Sequence, residues 1–240
     1  MNNTITVIGT VHNATKNYTP DDLYKKLCDI KPDVILFEWP LEWKKNLEPQ
    51  MIYSAKTGTL ESIAFLRYSK EHVVEIKLYD IEGRNDFYIK TRCFEIEKEV
   101  AKTYKSYFKS EKPNQIAMYY HKLLNRVSRM QLELNNGTLE EINSSDCDLV
   151  LETNLELIDS AYSAILDLVP ELNTYKPALL RQDRYEVKRN KTMVKNILKY
   201  NKLYENKSMV VLCGYYHRYA LIKALSKRQK SDCFELITSL

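Results

Sequence analysis

The sequence predicts an α/β protein: a mixed, mainly parallel central sheet flanked by helices, with a large helical insertion in mid-chain. Three observations lead there. Short apolar, β-branched runs stand near both ends of the chain. The first two are joined by an amphipathic stretch long enough for a parallel crossover. From about Phe87 to Asn206 the pattern is almost wholly helical, and strand chemistry returns only at Ser208.

Taken in order, Thr4 to Ile8 reads as a first strand bounded by Gly9. In YTPDDLYKKL, Thr19 is the expected N-cap, with Pro20 at the first helical position and Asp21 and Asp22 in the first turn. Leu23, Leu27 and Ile30 recur at helical spacing, and Lys31-Pro32 ends the helix. DVILFE follows as the near-continuous apolar run of a strand covered on both faces, so the opening is a right-handed β-α-β unit. A helix around Leu60 to Lys70 leads to a third strand, VVEIKLYD, ending at Asp80. The helical region is broken near Lys112-Pro113, at Asn135 to Thr138, and near Pro170 and Pro177. Ser208 to Cys213 is the next strand, then a helix from about Arg218 to Arg228 and a short last strand, CFELIT. The expected organisation is one domain over 1–240, with a core of 1–85 and 206–240 and a helical insertion at about 86–205.

Composition narrows the class. A hydrophobic fraction of 44% with 28% charged residues suits a globular chain, and no run approaches a membrane span. No basic and then apolar leader opens the sequence, so secretion is not expected. Five scattered cysteines without a CxxC pair argue against a disulfide framework or zinc ribbon, and fit reduced thiols in the cytoplasm. The net charge of +4 is uneven: Lys98 to Arg129 holds eight Lys/Arg against Glu99 and Glu111, and Arg181 to Lys207 holds nine against three acids. Such stretches can follow a nucleic-acid backbone, but solvated faces of amphipathic helices are the plainer reading.

In open α/β sheets ligands sit outside the carboxyl ends of the strands. Those ends are, in order, His12, Glu38, Asp80 and His217, four polar groups at one edge. Gly9 and Gly214 each stand three residues before a histidine, where glycine lets the backbone turn sharply and a ligand approach. His72 and His121 have no such context. Two imidazoles and a carboxylate, His12, Glu38 and His217, form a common ligand set for a catalytic divalent metal with a water. The same three could equally position and deprotonate a water without one. On RQDRYEVKRN, Arg181 and Arg184 share a helix face and could hold a carboxylate or an oxyanion, or lie on an exposed basic helix.

The order GTVH, PDVILFE, RxxR on a late helix and GYYH resembles the TraB/Tiki superfamily, which includes erythromycin esterase-like and ChaN-like haem-binding chains. The resemblance places the family's two GxxH motifs on Gly9 to His12 and Gly214 to His217, its strand-end glutamate on Glu38 and its arginine on Arg184. YDIEGRN is similar to the third-strand region of the esterase-like branch and adds Asp80 and Arg84. The two tyrosines of GYYH stand where smaller residues are usual. One branch implies metal-dependent peptide hydrolysis with manganese- or cobalt-type ions, zinc being a third candidate; the esterase-like branch implies ester hydrolysis by histidine without an obligatory metal. The expectation is therefore a hydrolase of amide or ester bonds in a small-molecule or peptide substrate. Glu38 would be general base, Arg184 oxyanion partner and Asp80 an orienting group. The alternatives are a non-catalytic ligand- or haem-binding cleft, or a nucleic-acid-associated factor using the basic helices.

Overall fold

In the computed structural model, which describes residues 2–240, five strands form one sheet in the order β3-β2-β4-β1-β5, all parallel. They are β1 (Asn3–Thr10), β2 (Val34–Pro40), β3 (Glu75–Asp80), β4 (Ser208–Gly214) and β5 (Phe234–Ile237), and the helices are α1 (Pro20–Ile30), α2 (Leu47–Lys56), α3 (Leu60–Glu71), α4 (Arg84–Thr91), α5 (Cys93–Phe108), α6 (Gln115–Asn135), α7 (Leu139–Ile142), α8 (Ser145–Leu168), α9 (Pro170–Asn173), α10 (Lys176–Leu203) and α11 (Tyr215–Ser226). The fold is thus α/β with helices flanking the sheet, and the short last strand is parallel like the rest. The first three strands step towards one edge, leaving a gap between β1 and β2 that β4 later fills. That return brings the GYYH stretch between His12 and Glu38, the kind of switch point at which α/β ligand sites form.

The chain divides into two compact units, Met1–Glu82 with Leu134–Leu151 and Arg189–Leu240, and Gly83–Glu133 with Glu152–Lys188. The first unit holds the whole sheet and also helical segments beyond the expected core of 1–85 and 206–240. One face of its sheet is covered by α1 (Pro20–Ile30) and α3 (Leu60–Glu71), whose Leu23, Leu27, Ala64 and Tyr68 pack with Ile35, Phe37 and Leu212. On the other face, Met193 and Ile197 of α10 (Lys176–Leu203) and Leu221 and Leu225 of α11 (Tyr215–Ser226) pack with Val34, Leu36 and Val211. Adjacent residues of β2 thus feed opposite cores, which is why its sequence shows no polar alternation.

The second unit is helical. Val100 of α5 (Cys93–Phe108), Ala117 and Leu124 of α6 (Gln115–Asn135) and Ala161 and Ile165 of α8 (Ser145–Leu168) build its core. Phe87 stacks on Tyr185 with centroids 3.6 Å apart. Among the described residues no helix is long and apolar enough to cross a membrane.

Two local differences from the sequence reading position the site. β1 runs through Gly9 to Thr10, because those residues stay in register with Cys213 and Gly214 of β4. The turn comes later, at His12, whose φ of 58° lies in the left-handed region. And α11 begins directly after Gly214, so His217 lies in its first turn rather than in a loop. Gly9 is there for close approach: a Cβ would meet Tyr215 Cα at 3.1 Å and the buried Arg218 Cδ at 2.9 Å.

Candidate active site

Four groups close the strand ends of the first unit. Glu38, near the end of β2, has a side chain only 10% exposed. Its Oε2 accepts the N–H of Gly214 at 2.6 Å, and its Oε1 accepts from Arg189 Nη2. Arg189 grips Asp80, the last residue of β3, with two parallel bonds: Nε to Oδ1 at 2.9 Å and Nη2 to Oδ2 at 3.0 Å. Asp80 is fully buried and also accepts the N–H of Ile81 at 2.7 Å. Burial pushes the Glu38 carboxyl up. The positive charges of a protonated His217, Arg189 and His12 and the Gly214 N–H pull harder, so its pKa lies below the usual carboxylate value.

His217 joins this cluster from α11. Its Nε2 lies 3.2 Å from Arg189 Nη1 and 3.6 Å from Glu38 Oε1, and its Nδ1 lies 2.8 Å from Asn190 Oδ1. Nδ1–H donates to Asn190 in either protonation state; the neutral ring accepts from the guanidinium at Nε2, and the protonated ring sets its charge against Glu38.

His12 is held differently. The Leu60 N–H donates to the His12 carbonyl at 2.6 Å and Asn13 pairs with Thr59, so the exit of β1 is tied to the start of α3. That tie puts Glu61, in the first turn of α3, beside the ring, with Nδ1 and Oε1 2.6 Å apart. Thr10 Oγ1 donates to the same carboxylate oxygen. The other oxygen, Oε2, is buried and finds no partner among the described residues. Burial disfavours a charge on the imidazole, but the hydrogen bond to Glu61 and its charge, aided by Glu38, outweigh this and raise the His12 pKa to about 9. Arg189 opposes the rise. The partner effect holds Glu61 below its ordinary value despite its own burial. The His12 side chain keeps 57% of its surface exposed, so solvent screens the pair and it adds little to stability. A cavity of about 30 Å³, room for about one water, lies between His12, Glu38, Glu61 and Trp39.

The structure thus brings His12, Glu38, Asp80, His217 and Gly214 to one edge of the sheet, with Gly9 in the strand that leads to it. Arg181, Arg184 and Arg84 belong to the second unit; Arg181 and Arg184 are exposed, and the arginine that pairs with Glu38 is Arg189, on the same helix as Arg184. Sequence reasoning missed Arg189, Glu61 and Asn190.

A resident divalent ion needs lone pairs that converge on one point. Here both Glu38 oxygens are engaged and His217 Nε2 faces a guanidinium, so Arg189 already supplies a cation at the centre. Among the described residues no group of three or more His, Cys, Asp or Glu is placed to hold a metal. Paired in this way, the donor set does not fit such an ion.

The two site glycines should respond differently to alanine. Gly9→Ala pushes on backbone and a buried arginine, an overpacking expected to cost about 1–3 kcal/mol in chemical denaturation. A Cβ at Gly214 would lie 2.8 Å from His12 Nε2, the mobile end of an exposed ring, and φ −55°, ψ 133° suits alanine. Gly214→Ala should therefore change stability by less than about 1 kcal/mol while displacing the imidazole. A shifted His12 resonance in a fully folded protein checks this.

No family model, no curated protein and no solved structure matches the chain.

Proposed function

We propose that the chain is a metal-independent hydrolase of ester or amide bonds, with His12 as general base and Glu61 as the carboxylate that orients it. The observation that carries this reading is the contrast between the nitrogens: among the described residues His12 Nε2 alone, of the four imidazole nitrogens of His12 and His217, has no hydrogen-bond partner. Glu38, held ionised and hydrogen-bonded through both oxygens, is a poor base, and its part is to anchor Arg189 and the start of α11.

In the reaction, His12 Nε2 takes a proton from a water whose oxygen attacks the substrate carbonyl carbon. Glu61 stabilises the imidazolium that forms, as the carboxylate of a catalytic triad does. The tetrahedral intermediate collapses, the bond to the leaving oxygen or nitrogen breaks, and the imidazolium returns its proton to that atom. A base with a pKa of about 9 acts only when neutral, so kcat/KM rises with pH towards that value. The order of GTVH, the strand-end glutamate and GYYH supports placing the chain with TraB/Tiki-like proteins, on the side that needs no metal. A small-molecule or peptide substrate suits the reading, and five unbridged cysteines favour the cytoplasm.

The test is a panel of p-nitrophenyl esters and peptide amides, run with chelator and with added Mn²⁺ or Co²⁺. Turnover indifferent to both, and reduced by about 10²-fold or more in His12→Ala, is the expected result. Turnover that depends on added metal, or that survives His12→Ala, overturns the assignment. The raised pKa favours one other reading, a binding cleft for an anion held by the His12 imidazolium. Saturable anion binding with no turnover on any member of the panel would select it.

A further inference from the structure

On the surface of the first unit, Lys191, Val194, Lys195, Leu198 and Lys199 of α10 line a groove of about 460 Å³. Lys202 and Arg228 stand along the same groove, and both pair with Asp232. Lys191, Lys195 and Lys199 are exposed and form no ion pair or hydrogen bond among the described residues. They recur every four residues, so they stand in one row with about 6 Å between successive positions along the axis. Three unpaired like charges in a row repel one another, and an anionic partner would relieve that repulsion. Between and below them Val194 and Leu198 are half-buried, packed against the core on one side and open to the groove on the other.

The pattern selects among anionic partners. Single-stranded nucleic acid stacks its bases on aromatic rings, and this groove has none. Phosphate recognition favours arginine forks, and the one arginine here is engaged by Asp232. A flat anionic membrane would meet the lysines but not the recessed valine and leucine. A helical peptide with an apolar stripe flanked by carboxylates matches all three features, for its acids repeat at the spacing of the lysines and its apolar side chains reach the floor.

We propose that this groove docks an acidic amphipathic helix of a partner protein. The inference stands apart from the hydrolase reading, since none of these residues belongs to the site at the strand ends.

The full chain is titrated by fluorescence anisotropy against a labelled peptide of about four helical turns, with Leu on one stripe and Glu on its borders. A shuffled peptide of the same composition, a single-stranded DNA, a duplex and phosphatidylserine-containing vesicles serve as comparisons. The expected result is binding of the patterned peptide above all the others. It should weaken by about tenfold or more in Lys195→Glu/Lys199→Glu and clearly in Leu198→Ser, with the helical spectrum unchanged. Equal binding of the shuffled peptide, preference for nucleic acid or vesicles, indifference to either variant, or no binding of the patterned peptide overturns the proposal.

Discussion

Arg189→Met is expected to destabilise the first unit by about 3–5 kcal/mol, because it leaves two buried carboxylates without their cation. Glu38 and Asp80 are 10% and 0% exposed, and the guanidinium bridges them while also reaching His217. Arg189→Lys keeps the charge but cannot reproduce the fork on Asp80, so it should fall between wild type and methionine. Removing the charges together, in Glu38→Gln/Asp80→Asn/Arg189→Met, should recover a large part of the loss. Acid changes the comparison in a defined direction. Glu38 is depressed in the fold, so its contribution is present above about 4.5 and is lost as pH falls through its folded value. The gap between wild type and Arg189→Met should therefore narrow in acid, where the variant's stranded Glu38 protonates and wild type loses the Glu38 pair. Urea unfolding at neutral and acid pH measures both effects. A loss below about 1 kcal/mol at neutral pH would mean that the buried pair contributes no more than a surface one.

Glu61→Gln should lower the high-pH limit of kcat/KM by about 10²–10⁴-fold on any substrate that the panel identifies, with a smaller loss at neutral pH, where more of the variant's imidazole is neutral. The amide keeps the size of the side chain and a hydrogen bond to Nδ1, but not the charge that raises the imidazole pKa. The inflexion of the pH–rate profile should accordingly move from about 9 towards the ordinary 6.5. A merely structural Glu61 would lower the rate without moving the inflexion. The linked stability effect has the opposite dependence to that of Glu38. With the His12 pKa raised from 6.5 to about 9, the His12–Glu61 pair helps the fold fully below 6.5 and is lost as pH climbs through about 9. The effect is small because the imidazole is mostly exposed.

The strands were readable because a parallel sheet covered on both faces needs continuous apolar runs, and VILF and MVVLC supply them. Their carboxyl ends then located His12, Glu38, Asp80 and His217 without any knowledge of packing. Arg189 and Glu61 were harder to see because each matters through a partner distant in sequence, yet both carried a signal. Arg189 heads the buried stripe Arg189, Met193, Ile197, Asn201 of its helix, and Glu61 shares a buried face with Phe65 and Tyr68. A charged residue on the apolar stripe of a helix cannot be left unpaired, so its position there announces a buried partner. The RxxR spacing drew attention instead to Arg181 and Arg184, residues on an exposed part of the same helix. Spacing records which residues share a face, but not which face meets the sheet. The role of Gly9 was blurred for a related reason: strand register with β4, which keeps it in β1, is a long-range property.

The most direct test of the His12–Glu61 pair needs no substrate. Imidazole resonances of wild type, Glu61→Gln and His12→Ala are followed by NMR across neutral to alkaline pH, the signal missing from His12→Ala being that of His12 among the four histidines. A wild-type His12 pKa near 9 that drops towards 6.5 in Glu61→Gln, with the fold intact, is the expected result. A His12 that titrates near 6.5 in both proteins would contradict the coupling and remove Glu61 from the mechanism.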